Sequence, residues 1–202
     1  MKLHDNPASP FCRKVRALLI ETGQAGDVEL AFAIGHPLAP ERMPTAANPL
    51  GKIPALELED ETVLFDSRVI CRYLDARAGG GFYPAEPRLW QTLTLEALAD
   101  GIMEAAILII YESRCRPEEI RFPDWVEAQW AKIARALDTL ETGWQGHLAR
   151  PLDMGQIALG CALGYLDFRL PGRGWRGAHP GLAAWFAAFA ERPAMRETVP
   201  QG

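Results

Sequence analysis

Two hydrophobic periods divide this chain. Lys2 to Asn6 is a short strand by its spacing. Pro10 to Gln24 predicts a helix, with Val15, Leu18, Leu19 and Thr22 on one face and Gly23 near its end. Val28 to Ile34 keeps its larger apolar residues at every second position, which predicts a strand with one strongly buried face. From Gly35 to Pro49 the chain carries Pro37, Pro40, Pro44 and Pro49, a loop with room for at most a short helix. Pro54 to Glu59 and Thr62 to Phe65 form a hairpin around Asp60-Glu61. Helical spacing then returns from Ser67 to Arg77 through Val69, Ile70, Tyr73 and Leu74. The order is β-α-β, a proline-rich loop, then β-β-α.

Gly79-Gly80-Gly81, followed by Pro84 and Pro87, ends that alternation and marks a boundary between residues 1–79 and 85–202. Beyond it the strand signal nearly vanishes. Leu89 to Arg114 is a long helix whose Ile102 to Ile110 segment is apolar almost all round, so it is expected to be buried on several sides. Asp124 to Trp144 is a second long amphipathic helix. Asp153 and Gln156 stand as N-cap and N3 of a capping box, with Leu152 and Ile157 at the staple positions, opening a third helix that runs through Leu166. Pro180 to Glu191 is a fourth.

Composition narrows the class. With 202 residues, 49% hydrophobic and 23% charged, the chain is that of a globular protein with a sizeable core, divided into two modest domains or one domain with a helical extension. A net charge of −5 argues against a general nucleic-acid or anionic-membrane binder. No signal-peptide pattern opens the chain, and its purest apolar run, Ala105 to Ile110, is too short to span a bilayer. Cys12, Cys71, Cys115 and Cys161 are scattered without a paired spacing, which suits a reducing, cytoplasmic setting. His4, His36, His147 and His179 are isolated and lack zinc-ligand spacing, and neither a phosphate-binding glycine loop nor a nucleophile elbow is present.

The candidate chemistry lies at the first helix start. In Ser9-Pro10-Phe11-Cys12 the proline suits the first turn and Ser9 the cap, beside free backbone N–H groups at the positive end of the helix dipole. Such a place favours an anion, and a thiolate is the obvious one: either that of Cys12 or that of a ligand held near Ser9. A free thiol has a pKa of about 8.5, and lowering it by about 2 units takes roughly 2.7 kcal/mol of preferential thiolate stabilisation. One hydroxyl hydrogen bond to an anion, on the order of 1.5–3 kcal/mol, supplies much of that.

Four segments in order carry a resemblance to the cytosolic glutathione transferases over essentially the whole chain. Ser9-Pro10-Phe11-Cys12-Arg13-Lys14-Val15-Arg16 resembles the helix signature of the serine-type classes, tau- and zeta-like, together with many bacterial members. Asn48-Pro49-Leu50-Gly51-Lys52-Ile53-Pro54 is similar to the segment leading to the family's cis-proline. Phe65-Asp66-Ser67 is similar to the motif opening the family's third helix, and the box at Asp153 matches the helical-domain cap in chemistry if not in residue identity.

The resemblance implies a thioredoxin-like α/β domain (βαβ-ββα) followed by an all-α helical domain. It implies conjugation of glutathione, as co-substrate and without a metal, to a small hydrophobic electrophile in detoxification. It gives Ser9 the role of holding the glutathione thiolate, with Cys12 as the alternative catalytic residue of a thiol-disulfide oxidoreductase. Lys52, Ile53, Pro54, Asp66 and Ser67 would hold glutathione: Ile53 through its backbone, Asp66 at the γ-glutamyl ammonium, Ser67 at the α-carboxylate and Lys52 at the glycyl carboxylate. Phe11, Tyr111 and Arg114 would border the second substrate. A two-fold homodimer is the family's usual assembly, and the fold is also reused for binding or scaffolding without turnover.

Overall fold

A computed structural model of the protein describes residues 1–34 and 36–202. Gly35, at which the proline-rich loop is predicted to begin, lies outside the described residues. The chain separates into two compact units, Met1–Leu89 together with Pro193–Gly202, and Trp90–Arg192.

The first unit is a four-stranded sheet with two main helices. Its strands are β1 (Lys2–Asp5), β2 (Glu29–Phe32), β3 (Ala55–Glu57) and β4 (Val63–Leu64), in the order β2-β1-β3-β4. β1 and β2 run parallel, and the other pairs are antiparallel. Helix α1 (Pro10–Glu21) has Pro10 in its first turn and Ser9 as N-cap, and α2 (Ser67–Arg77) is capped by Asp66. Leu3, Val15, Leu18, Leu56, Ile70 and Leu74 are fully buried and form the unit's apolar core.

β2 departs from its predicted burial. Leu30 is 54% and Phe32 70% exposed, while the smaller Val28 and Ala33 are buried. Leu30 pairs with Leu3, so the two side chains share a sheet face, yet only Leu3 is covered. β2 is an edge strand with one neighbour. Alternation shows which side chains share a face, not whether anything covers it.

A short helix α8 (Pro193–Glu197) belongs to this first unit and packs against α1. Arg13, on the buried side of α1, donates from Nε to Thr198 Oγ1 (3.3 Å) and from an Nη to the Met195 carbonyl (3.0 Å). Ala194 and Met195 are buried beside these polar contacts.

The second unit is helical: α3 (Arg88–Cys115, its first two residues in the other unit), α4 (Pro123–Gly143), α5 (Gln145–Leu148), α6 (Met154–Arg169) and α7 (Pro180–Phe189). No helix among the described residues is long and apolar enough to cross a membrane. α6 is buried on nearly every side from Met154 to Leu163, which explains its run of small residues. A Cβ at Gly155 would come 2.9 Å from the Thr92 carbonyl oxygen and 2.9 Å from Leu95 Cβ, so glycine is what lets α6 approach α3 this closely.

The cap of α6 forms, but only half of the predicted box does. Asp153 Oδ1 accepts from the Gln156 N–H at 3.1 Å. The Gln156 amide does not reach back to Asp153; it donates to the carbonyls of His147, Arg150 and Pro151, backbone acceptors at and just beyond the end of α5. Asp153 Oδ2 takes the Thr92 hydroxyl at 2.7 Å and lies 2.9 Å from His147 Nε2.

Candidate active site

The sheet register gathers three of the sequence-predicted segments at one end of the first unit. His4 pairs with Ala55, so the chain leaving β1 toward Ser9 lies beside the chain entering β3 through Ile53 and Pro54. Leu64 pairs with Leu56, which brings the exit of β4, and with it Asp66 and Ser67, to the same end. The parallel pairing of β2 ends there too, where Ala33 N–H donates to the Asp5 carbonyl and the Asn6 side chain to the Ala33 carbonyl. Two helix N-termini, those of α1 and α2, therefore open at one sheet end, an arrangement that favours bound anions.

Ser9 caps α1 by accepting the Cys12 backbone N–H on Oγ at 3.3 Å. A hydroxyl that accepts still has its own proton to donate. It already acts on the Cys12 sulfur in the direction of the thiolate, but the effect is overwhelmed there. Burial, and then the negative charge of Asp5, pushes the Cys12 thiol up to about 12, against the smaller opposing pulls of Ser9 and Arg16. Cys12 is fully buried, with its sulfur 4.0 Å from the His4 carbonyl. It is a protonated core thiol at neutral pH, which counts against it as a nucleophile.

The Ile53-Pro54 peptide bond is cis, as the resemblance implies. Among the described residues the N–H and C=O of Ile53, just ahead of β3, make no hydrogen bond, so this backbone is open to an extended peptide. Asn48 shapes the approach. Buried, it donates to the Lys52 carbonyl (2.9 Å) and accepts from the Leu50 N–H (3.0 Å), and Gly51 takes the left-handed turn between them with φ of +58°. The Lys52 side chain itself is exposed.

Asp66 is already engaged. Its Oδ1 accepts the Arg68 backbone N–H at 3.1 Å and its Oδ2 the Arg68 guanidinium at 3.0 Å. Partial burial works to raise its carboxyl, but the Arg68 contacts and the charge of Lys14 outweigh it and hold the group below the ordinary carboxylate value. It is an anion at neutral pH with lone pairs to spare for an ammonium. Ser67 is buried at the first position of α2.

Sequence reasoning missed three contributors here. Asn48 was recoverable, because Asn-Pro-Leu-Gly is a turn signal and an Asx side chain closes such turns. Arg68 carried no signal beyond its position after the cap. Lys14 is fully buried although a helical lysine ordinarily reads as surface.

Phe11 is half-buried on α1. In the helical unit Tyr111 is half-buried and Arg114 exposed. Two concavities open in that unit. One, of about 370 Å³, is bordered by Glu112, Arg116, Ile120, Phe122 and Trp125. The other, of about 350 Å³, lies between Ile109, Ser113, Val126 and Leu170, and neither is lined by Tyr111 or Arg114.

Residues 8–77 match the family model for the glutathione S-transferase N-terminal domain, and residues 123–188 that for the glutathione S-transferase C-terminal domain. The chain is similar to a crystal structure of a glutathione transferase family member from Pseudomonas fluorescens Pf-5 with bound glutathione. The identity is 47%, covering 100% of this chain and 99% of that one, with a TM-score of 0.97. A second structure of a Pseudomonas fluorescens Pf-5 family member, with bound S-(propanoic acid)-glutathione, gives 46% identity, full coverage of both chains and a TM-score of 0.93. The uncharacterized GST-like protein YibF of Escherichia coli K12 is 33% identical over 99% of this chain and 98% of its own.

Proposed function

The chain belongs to the glutathione S-transferase family, and on that premise we propose that it binds glutathione at this sheet end and transfers it as a thiolate to a small electrophile. The register that brings Ser9, Ile53-Pro54 and Asp66-Ser67 to one end carries the reading. An extended tripeptide laid along the open Ile53 backbone puts its γ-glutamyl end toward Asp66 and the α2 terminus. Its cysteinyl sulfur then faces Ser9. Bound glutathione in a relative 47% identical over the full chain supports the same occupant.

Ser9 donates its hydroxyl proton to the sulfur and, with the α1 terminus, favours the thiolate over the thiol. The gain is about 2 pKa units, enough to make the nucleophile abundant at neutral pH. Cys12 lacks that benefit because it is buried, which favours a serine-type, tau- or zeta-like mechanism over thiol-disulfide exchange through Cys12. The conjugate held by the second relative bears a carboxylic acid, so short acids join hydrophobic electrophiles as candidate acceptors. A cytoplasmic detoxifying homodimer is the setting the family suggests. Trp90 and Leu108 leave apolar surface exposed on α3 for such a partner.

The test is calorimetric titration of glutathione together with ultraviolet titration of the bound thiolate. The expected outcome is binding by both wild type and Ser9→Ala, with the bound thiol pKa higher by about 1–2 units in the variant and conjugation of chlorodinitrobenzene about 10–100-fold slower near neutral pH. Absence of binding, or an unchanged thiol pKa in Ser9→Ala, would refute the assignment.

A further inference from the structure

One side chain fastens the loop that presents Ser9. Asn6 to Ser9 is a four-residue turn with Pro7 at its second position, closed by the Ser9 N–H donating to the Asn6 carbonyl at 2.9 Å. The Asn6 amide closes the turn again, its Oδ1 accepting the Ala8 N–H at 2.9 Å. Its Nδ2 donates to the Ala33 carbonyl at 2.8 Å, and Ala33 is buried one residue past β2. The Ala33 N–H in turn donates to the Asp5 carbonyl at 2.8 Å, so the end of β2 grips the chain on both sides of the Asp5–Asn6 peptide.

The two halves of the amide act on different partners, and asparagine supplies both at this length. A serine can still accept from Ala8 but is too short to reach Ala33. An aspartate sets a second carboxylate oxygen against the Ala33 carbonyl, and an alanine keeps neither bond. Arg16 is a weaker strut. Its guanidinium, with Nε 3.2 Å from Asp5 Oδ1, reaches the Pro7 carbonyl at 3.4 Å, a longer contact that stops two residues short of Ser9. Helix α1 does not depend on the turn, because Val15, Leu18 and Leu19 seat it in the core. The turn decides where Ser9 lies against that helix start.

The Ser9 oxygen accepts the Cys12 N–H at 3.3 Å, with the residue at φ −82° and ψ 123°, and its proton is left for a ligand. Donation to a sulfur works only over hydrogen-bond distance, and an error of about 1 Å in placing such a group costs on the order of 100-fold in rate. We propose that Asn6 is a positioning residue of the transfer: it ties the Ser9 turn to the end of β2 and so holds the Ser9 oxygen where it stabilises the glutathione thiolate. The proposal rests on the transferase reading, in which Ser9 donates to that sulfur. No bond forms or breaks at Asn6. Its effect is on the equilibrium between bound thiol and thiolate, whose proton goes to water.

The experiment is ultraviolet titration of the bound glutathione thiol, with the pH profile of kcat/KM for chlorodinitrobenzene, in wild type, Asn6→Ala, Asn6→Ser, Ser9→Ala and the double variant with both alanines. Asn6→Ala should raise the bound thiol pKa by about 0.5–1 unit and lower kcat/KM about 3–10-fold near neutral pH, with the loss vanishing at alkaline pH where the thiolate forms unaided. Glutathione affinity should change by less than about 2-fold. Asn6→Ser, neutral and still able to close the turn, should fall between alanine and wild type, and it carries the same test if Asn6→Ala does not fold. The double variant should be no worse than Ser9→Ala, as expected of residues that act through one another. An unchanged thiol pKa in the Asn6 variants, a loss equal at every pH, or losses that add in the double variant overturns the positioning role while a shifted pKa in Ser9→Ala leaves the transferase reading standing. A wild-type thiol pKa in Ser9→Ala overturns both.

Discussion

The hydroxyl of Thr92 on α3 donates to Oδ2 of Asp153 at the head of α6 over 2.7 Å, with both side chains sealed from solvent. One carboxylate thereby caps α6 and ties it to a helix 61 positions earlier in the chain. Asp153→Ala is expected to cost about 2–5 kcal/mol, the loss of a cap plus the stranding of buried donors. Asp153→Asn, which can still cap through its carbonyl oxygen, should cost less than half as much. Urea denaturation followed by circular dichroism reads both, and an alanine variant as stable as wild type would refute the linkage.

Two helical glycines should respond in opposite directions to alanine. Gly155→Ala puts a methyl 2.9 Å from the Thr92 carbonyl oxygen and should destabilise by about 1–3 kcal/mol. Gly101 is exposed in mid-α3, with nothing within 4 Å of the new methyl, and Gly101→Ala should stabilise by about 0.5–1 kcal/mol. Thermal melts of the two variants side by side make the comparison.

Cys12 predicts a pH dependence with a definite sign. Its thiol is moved in the folded state from 9.0 up to about 12, first by burial and then by the charge of Asp5. The folded chain therefore prefers the neutral thiol. The stability this contributes is whole below pH 9.0 and is lost as pH rises through about 12. Alkylation read by mass spectrometry should label the half-buried Cys115 first at mildly alkaline pH, and Cys12 at least about 100-fold more slowly until the chain unfolds. Equal rates for the two would contradict the burial of Cys12.

Thr198 offers a probe of the C-terminal contact. Its hydroxyl accepts from Arg13 at 3.3 Å and donates to the Ala194 carbonyl at 2.6 Å. Thr198→Val preserves shape and removes both bonds, so a loss of about 1–3 kcal/mol is expected in chemical denaturation. A neutral result would mean that the apolar contacts of Ala194 and Met195 hold the segment without the hydroxyl.

Helix positions were legible because each has a punctuating residue. Pro10 and Ser9 mark one start, Asp66 a second and Asp153 a third; Ser9 and Asp153 cap as predicted, and Asp66 caps α2 as well. The burial of β2 was not legible, because period two is the same for an edge strand as for a central one. The reach of Gln156 was hidden as well: a capping box assumes that the amide turns back along its own helix, whereas here the carbonyls around the end of α5 compete for it and win. At the site, local motifs named Ser9, Ile53-Pro54 and Asp66-Ser67. Their common location depends on the pairings His4 with Ala55 and Leu64 with Leu56, which no local pattern specifies.

Helix α8 completes a unit whose other elements all precede residue 90. A ribosome makes Arg13 long before two of its acceptors, Met195 and Thr198, which lie 182 and 185 positions downstream. The unit therefore cannot fold to completion ahead of the helical segment that interrupts it, as domains made first generally do. A chain cut after residue 192 keeps every strand of the sheet yet lacks the helix that packs on α1 and accepts from Arg13.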